Sequence, residues 1–131
     1  SEMGNRSQNV ICELEEYTDK KYGGTMRLGN SHIKLSKNSK VHQIYQSDTI
    51  IERHRHRYSV NDKYSIQLSK KGFNITGTSL DNNLIEVVEM DKSIHPWYIG
   101  CQYHPEYKSS PFNPHPLFIS YISALTFHTH K

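Results

Sequence analysis

HPWYIGCQYHPEYKSSP, residues 95–111, is aromatic and apolar through Trp97–Tyr103, then breaks at Pro105 with a histidine before it and a glutamate after it. The β-favouring run predicts a strand over Trp97–Tyr103. Pro105 sets its own φ and pushes His104 toward extended geometry. In an extended chain His104 and Glu106 share a face, with backbones about 7 Å apart from the ~3.3 Å rise per residue, whereas Cys101 and His104 point to opposite sides. A carboxylate bonded to one imidazole nitrogen fixes the tautomer and leaves the other nitrogen free to take a proton from a nucleophile. The motif therefore predicts His104 as general base and Glu106 as its orienting carboxylate, with the nucleophile supplied from elsewhere. A surface ion pair closing a strand fits the same residues, and Cys101 fits a small buried apolar side chain.

Outward from this stretch, further segments rich in Ile, Val, Thr and aromatics predict strands over residues 9–15, 25–35, 49–60, 73–79 and 84–90. NDKYSIQLSKKG, residues 61–72, predicts a helix with Asn61 as N-cap and Gly72 as stop, and with Tyr64 and Leu68 on one face. HPLFISYISALTF predicts a last helix with Pro116 near its first turn. Its residues Phe118, Tyr121, Ile122 and Leu125 form an apolar stripe expected to pack into the core. Pro111, Pro114 and Pro116 mark an ordered loop before it. Strands alternating with helices place the chain in the α/β class, as one domain over residues 1–131.

Two other segments carry candidate chemistry. ERHRHRY, residues 52–58, places Arg53, Arg55 and Arg57 on one face of an extended chain and Glu52, His54, His56 and Tyr58 on the other. An arginine comb gripping phosphates, two histidine ligands of a metal, and an arginine forked onto a substrate carboxylate all fit, as does a solvated charged strand. The nine histidines offer no third ligand at recognisable spacing, so no metal site is expected. GGTMRLG, residues 23–29, lacks the Lys-Ser/Thr ending of a phosphate-binding loop and runs into strand-like residues, so its glycines are expected to permit turns beside a short strand.

Composition narrows the classes. Sixteen Lys and Arg against thirteen Asp and Glu give a formal charge of +3, short of the concentrated basic face that nucleic-acid backbones require. The mean hydropathy of −0.76 is polar for a domain closing its core unaided, which suggests part of something larger. Two cysteines at unrelated spacing, Cys12 and Cys101, make neither a disulfide framework nor a zinc site and point to a reducing compartment. No apolar run reaches the ~20 residues of a membrane span, and no leader pattern opens the chain, so a cytoplasmic protein without membrane or nucleic-acid partners is expected.

The order GGTMRLG, IIERHRHRYSVN, LIEVVEM, HPWYIGCQYHPEYKSSP and HPLF resembles the C-terminal class I glutamine amidotransferase (glutaminase) domain of the CTP synthases over essentially the whole chain. HPE alone marks only the wider amidotransferase class; GGTMRLG and ERHRHRY narrow it. The resemblance implies a mixed sheet flanked by helices, with an antiparallel addition from the middle strands. It implies that His104 is the base, Glu106 its carboxylate partner, Arg57 the residue holding the glutamine α-carboxylate and Tyr58 a pocket neighbour. Glu2, in SEM, resembles the glutamate of a family N-S-T-E-F segment, with Met in place of Phe. The family nucleophile sits in G-x-C-x-G-M-Q, which this sequence does not contain, so the first strands, the nucleophile elbow and its oxyanion hole are expected in a preceding half of the domain. The implied partners are L-glutamine, that half, an N-terminal synthetase domain and further copies, a tetramer in the family. No cofactor is expected in this chain; ATP, Mg²⁺ and the activator GTP belong to the full-length enzyme.

Overall fold

The computed structural model describes residues 11–13, 27–56, 58–60, 62–81 and 83–129, with backbone alone at 11–13, 27, 28, 56, 58, 59, 62, 128 and 129. Among them a five-stranded sheet runs in the order β3-β2-β5-β6-β7, from β2 (Arg27–Leu35), β3 (Thr49–His56), β5 (Phe73–Ser79), β6 (Ile85–Met90) and β7 (Ile99–Cys101). A separate two-stranded ladder joins β1 (Ile11–Glu13) to β4 (Tyr58–Val60), pairing Cys12 with Ser59 and Glu13 with Tyr58. Every described ladder is antiparallel. The α/β class expected from the sequence is what forms, and the antiparallel part contributed by the middle strands makes up the whole described sheet.

Residues of β2 and β3 alternate buried and exposed with period 2, so Ile33, Leu35 and Ile50 enter the core while Lys34 and Arg53 stay outside. Val41, Val87, Tyr103 and Leu117 complete the buried cluster. Fully burying each such aliphatic side chain stabilises the fold by about 1.5–3 kcal/mol. Gly77 sits at a shift in the β5–β6 register, where an added Cβ would stand 2.7 Å from Val87 Cγ2. That contact is shorter than real Cβ atoms tolerate, so the close approach of the two strands requires glycine.

Helix α1 (Lys40–Tyr45) is capped twice. Ser39 Oγ accepts the His42 N–H at 3.1 Å, and the buried Glu89 carboxylate accepts the Lys40 and Val41 N–H groups at 2.8 and 3.1 Å. A 3₁₀ turn at Asp62–Tyr64 leads into α2 (Ser65–Lys70), with Tyr64 and Leu68 both half-buried as their spacing predicts. Gly72 follows at φ 92°, the left-handed stop expected there, while Asn61 lies outside the described residues. Gly29 lies within β2 at φ 91° and not at a turn, and Gly23 and Gly24 lie outside the described residues.

Helix α3 (Pro116–Thr129) begins where its proline predicts, but its apolar stripe is not core. Phe118, Tyr121, Ile122 and Leu125 are exposed, and the covered side instead carries the buried Leu117 with the half-buried Ser120 and Ala124, Ser120 Oγ accepting the Trp97 indole N–H at 2.8 Å. The reason is rotational. Leu117 is pulled into the cluster beside His115, and that fixes the helix with its larger apolar face outward.

Candidate active site

The described site is built where β3 meets the turn that follows β7. The chain leaves β7 at Cys101, buries Tyr103, and reaches a 3₁₀ turn over Pro105–Lys108 with His104 as its preceding residue. Glu106 therefore reaches His104 by a tight turn and not along the extended strand that the sequence suggests. Pro105 at the first turn position has no N–H to satisfy, which favours this start. His104 Nδ1 and Glu106 Oε1 lie 2.7 Å apart. A carboxylate oxygen only accepts, so Nδ1 carries the proton and Nε2 presents its lone pair. The Glu106 carboxyl is held below its ordinary range, first by its own backbone N–H and then by the His104 bond. Tyr107 stacks on the imidazole, with centroids 4.7 Å apart and 20° between planes.

Strand β3 holds the turn from outside the sheet. Its alternate carbonyls face the edge away from β2: Arg53 O accepts the His104 N–H at 3.0 Å, and Ile51 O accepts from Lys108 Nζ at 2.5 Å. Between them Glu52 points inward. It is 1% exposed, and its Oε1 lies 2.7 Å from His115 Nε2 and accepts the Tyr45 hydroxyl at 2.8 Å. His115 Nδ1 accepts the Leu117 N–H at 3.1 Å, so Nε2 bears the hydrogen that goes to Glu52. Tyr45 spends its proton on Glu52 and receives one from Tyr103 at 3.0 Å. Burial first pushes both tyrosines up and keeps them protonated; at Tyr45 the Tyr103 phenol and the Glu52 carboxylate add to the rise, whereas at Tyr103 the bond to Tyr45 opposes it.

Cys101 is placed away from nucleophilic duty. Its Sγ donates to Tyr103 O at 3.6 Å, it packs against the core cluster, and burial pushes its thiol up to about 12. The opposite-face expectation for Cys101 and His104 assumed one extended strand through both, whereas β7 ends at Cys101 and His104 opens the 3₁₀ turn. Of the ERHRHRY segment, Arg53 and Arg55 are exposed while Glu52 and His54 are buried, with His54 Nε2 3.4 Å from Glu86 Oε2. Among the described residues no three His, Cys, Asp or Glu are grouped to hold a metal ion. Arg57 and Glu2 lie outside the described residues, as do the side chains of Tyr58 and Cys12.

Glu52 and His115 are the site residues that the sequence reading missed as a pair. A signal existed for one of them: a histidine immediately before a proline that opens a helix is positioned to cap it.

Residues 7–124 match the family Glutamine amidotransferase class-I. The chain belongs to that family. Among its relatives, the chain is 51% identical over 120 residues to the CTP synthase of Lawsonia intracellularis, covering 92% of this chain and 21% of that protein. It is 50% identical over 114 residues to the CTP synthase of Aquifex aeolicus, covering 87% of this chain and 21% of the other. The glutaminase domain of Trypanosoma brucei CTPS with bound acivicin superposes with a TM-score of 0.76 at 30% identity, over 88% of this chain and 45% of that one. The chain thus spans less than a quarter of those CTP synthases and under half of the solved glutaminase domain. None of its described helices is long and apolar enough to cross a membrane.

Proposed function

We propose that this chain is the C-terminal part of a CTP synthase glutaminase domain, in which His104 is the general base and Glu106 its orienter. The observation that carries the reading is the 2.7 Å contact between Nδ1 and Glu106, with Nε2 left to exchange a proton. Similarity to CTP synthases supports the substrate assignment.

In the proposed reaction a cysteine outside this chain loses its proton to His104 Nε2, and the thiolate attacks the side-chain carbonyl carbon of glutamine. The tetrahedral intermediate collapses, the C–N bond breaks, and the imidazolium returns its proton to the leaving nitrogen as ammonia departs. Water then gives a proton to Nε2 and its hydroxyl to the thioester carbon, the C–S bond breaks to release glutamate, and the imidazolium returns that proton to the sulfur. Glu106 keeps the Nδ1 proton in place throughout and steadies the positive ring. Arg57 suits the α-carboxylate through its planar fork, Glu2 the α-ammonium, and Tyr58 the pocket wall.

Ammonia released here serves amination of UTP to CTP in an N-terminal synthetase domain. ATP, Mg²⁺ and the activator GTP are assigned to that full-length enzyme, which works as a homo-oligomer in the cytoplasm. The 131-residue chain alone is expected to hydrolyse no glutamine, since the Cys101 thiol is protonated and turned inward. The alternative, a glutamine-binding or subunit-interaction module without catalysis, draws on that same thiol.

A glutaminase assay separates the readings. We expect no turnover by the chain alone, turnover when an elbow-bearing first half is joined to it, and loss of that turnover in His104→Ala. Hydrolysis by the 131 residues themselves would overturn the division of labour. Calorimetric titration with glutamine tests the pocket, and equal binding by the parent and Arg57→Ala would remove Arg57 from it.

A further inference from the structure

Three consecutive residues of β3 hold one loop at three places. Arg53 O receives the His104 N–H at the start of the loop, and Ile51 O receives Lys108 Nζ in its middle. The Glu52 carboxylate receives His115 Nε2 at its end. His115 is tied back into the loop through its own N–H, which Ser109 Oγ accepts at 3.0 Å, and forward into α3 through Leu117. The end anchor is the most buried of the three, with His115 2% and Glu52 1% exposed, and Tyr45 braces it from α1 through a bond of 2.8 Å to Glu52, its hydroxyl oxygen lying 3.2 Å from His115 Nε2.

We infer that Glu52, acting through His115, is a positioning residue for His104: a second, buried carboxylate–imidazole pair sets the loop on which the exposed His104–Glu106 pair is presented. This deepens the proposed function and rests on His104 being its base. Strand geometry explains why one strand performs both tasks. Alternate carbonyls leave β3 at its outer edge, while the side chain between them turns into the core, so Ile51, Glu52 and Arg53 grip the loop from two directions at once. The inner grip is the stiffer. Removing the carboxylate strands two buried donors, the His115 imidazole N–H and the Tyr45 hydroxyl, which then draw the loop toward other acceptors. His104 would lose its fixed distance to Glu106 without losing Glu106 itself.

The test reads the His104 tautomer directly, by long-range proton–nitrogen correlation on the ¹⁵N-labelled 131-residue chain above the imidazole titration. The parent is expected to show a single species protonated at Nδ1. Glu52→Ala is expected to show both tautomers, and Glu52→Gln, whose amide oxygen still accepts both donors, to restore the single one. Val41→Ala, a buried core truncation that removes none of the three anchors, lowers stability and is expected to leave the tautomer unchanged. A single Nδ1 tautomer in Glu52→Ala, or equal mixing in Val41→Ala, overturns the inference. If Glu52→Ala does not fold, His115→Leu decides: it leaves Glu52 and its Tyr45 bond in place but removes the imidazole through which Glu52 acts, so mixed tautomers of His104 support the inference and a single Nδ1 species refutes it. The readout is independent of catalysis. A tautomer that answers to Glu52 in a full-length protein whose glutaminase survives His104→Ala would leave the positioning intact and sink the assignment of the base.

Discussion

Cys101 shows how strongly surroundings decide what a side chain does. It lies in the strand that leads to His104, yet it points inward against the core cluster, where burial first and the carboxylates of Glu52, Glu106 and Glu86 next favour its neutral form. A rise from 9.0 to about 12 lowers the thiolate fraction at pH 8 on the order of a thousandfold. In a Cys12→Ser background, iodoacetamide is expected to alkylate Cys101 far more slowly than a free thiol at pH 8, and at the free rate once the chain is unfolded in urea. Rapid labelling of the folded chain would show an available thiolate and reopen its candidacy as nucleophile. The sign of the linked stability follows. The unfolded thiol ionises near 9.0 and the folded one near 12, so the contribution of Cys101 is fully present below pH 9 and is lost as pH rises through that window. Glu106 runs the other way. Its carboxyl is depressed, so its pairing with His104 persists above the ordinary carboxylate range and fails only as pH falls below it.

Helix α1 depends on a residue far from it in sequence. Six residues are too few to hold a helix alone, and its first N–H groups are taken by Ser39 locally and by Glu89 from β6. Hydrogen bonds to a charged acceptor are worth about 1.5–3 kcal/mol, so Glu89→Ala is expected to lower unfolding free energy by roughly that amount or more in urea denaturation. Glu89→Gln, which keeps one acceptor oxygen, should cost less. Equal stability of all three proteins would show that α1 does not need the carboxylate. No helix is among those expected from the sequence here, although local signals exist: Ser39 is a good N-cap, and Val41, Ile44 and Tyr45 are spaced to share a face. The distant contact has none, since nothing in LIEVVEM shows which of its two glutamates turns inward. Both in fact do, Glu86 toward His54 and Glu89 toward α1.

At the scale of the molecule, more large hydrophobic residues are exposed than buried among the described residues, thirteen against eight. Ile122 is 59% and Phe127 66% exposed on α3, beside Ile119 and Leu125, and no strand is described beyond β7 at the sheet's edge. Contiguous apolar surface of this kind drives association. Sedimentation velocity is expected to show concentration-dependent self-association of the isolated chain, weakened by Ile122→Glu. A monomer at every concentration would show that the α3 face is too small to matter. Leu117, on the opposite side of the same helix, is core, and Leu117→Ala should cost about 2–5 kcal/mol. The contrast marks where sequence reading ends. The start of α3, the Gly72 stop, the pairing of His104 with Glu106 and most strand positions could be read from the chain, because each follows from period, turn chemistry or neighbours two residues apart; the strand expected over 49–60 instead forms β3 and β4 in separate ladders, and that expected over 97–103 keeps only Ile99–Cys101. Which face of α3 is buried, the inward turn of Glu52, and its meeting with His115 are set by contacts between segments far apart in the chain. A helix with apolar residues on several sides has no local reason to prefer one of them, and a carboxylate enters a core only where the fold brings it donors.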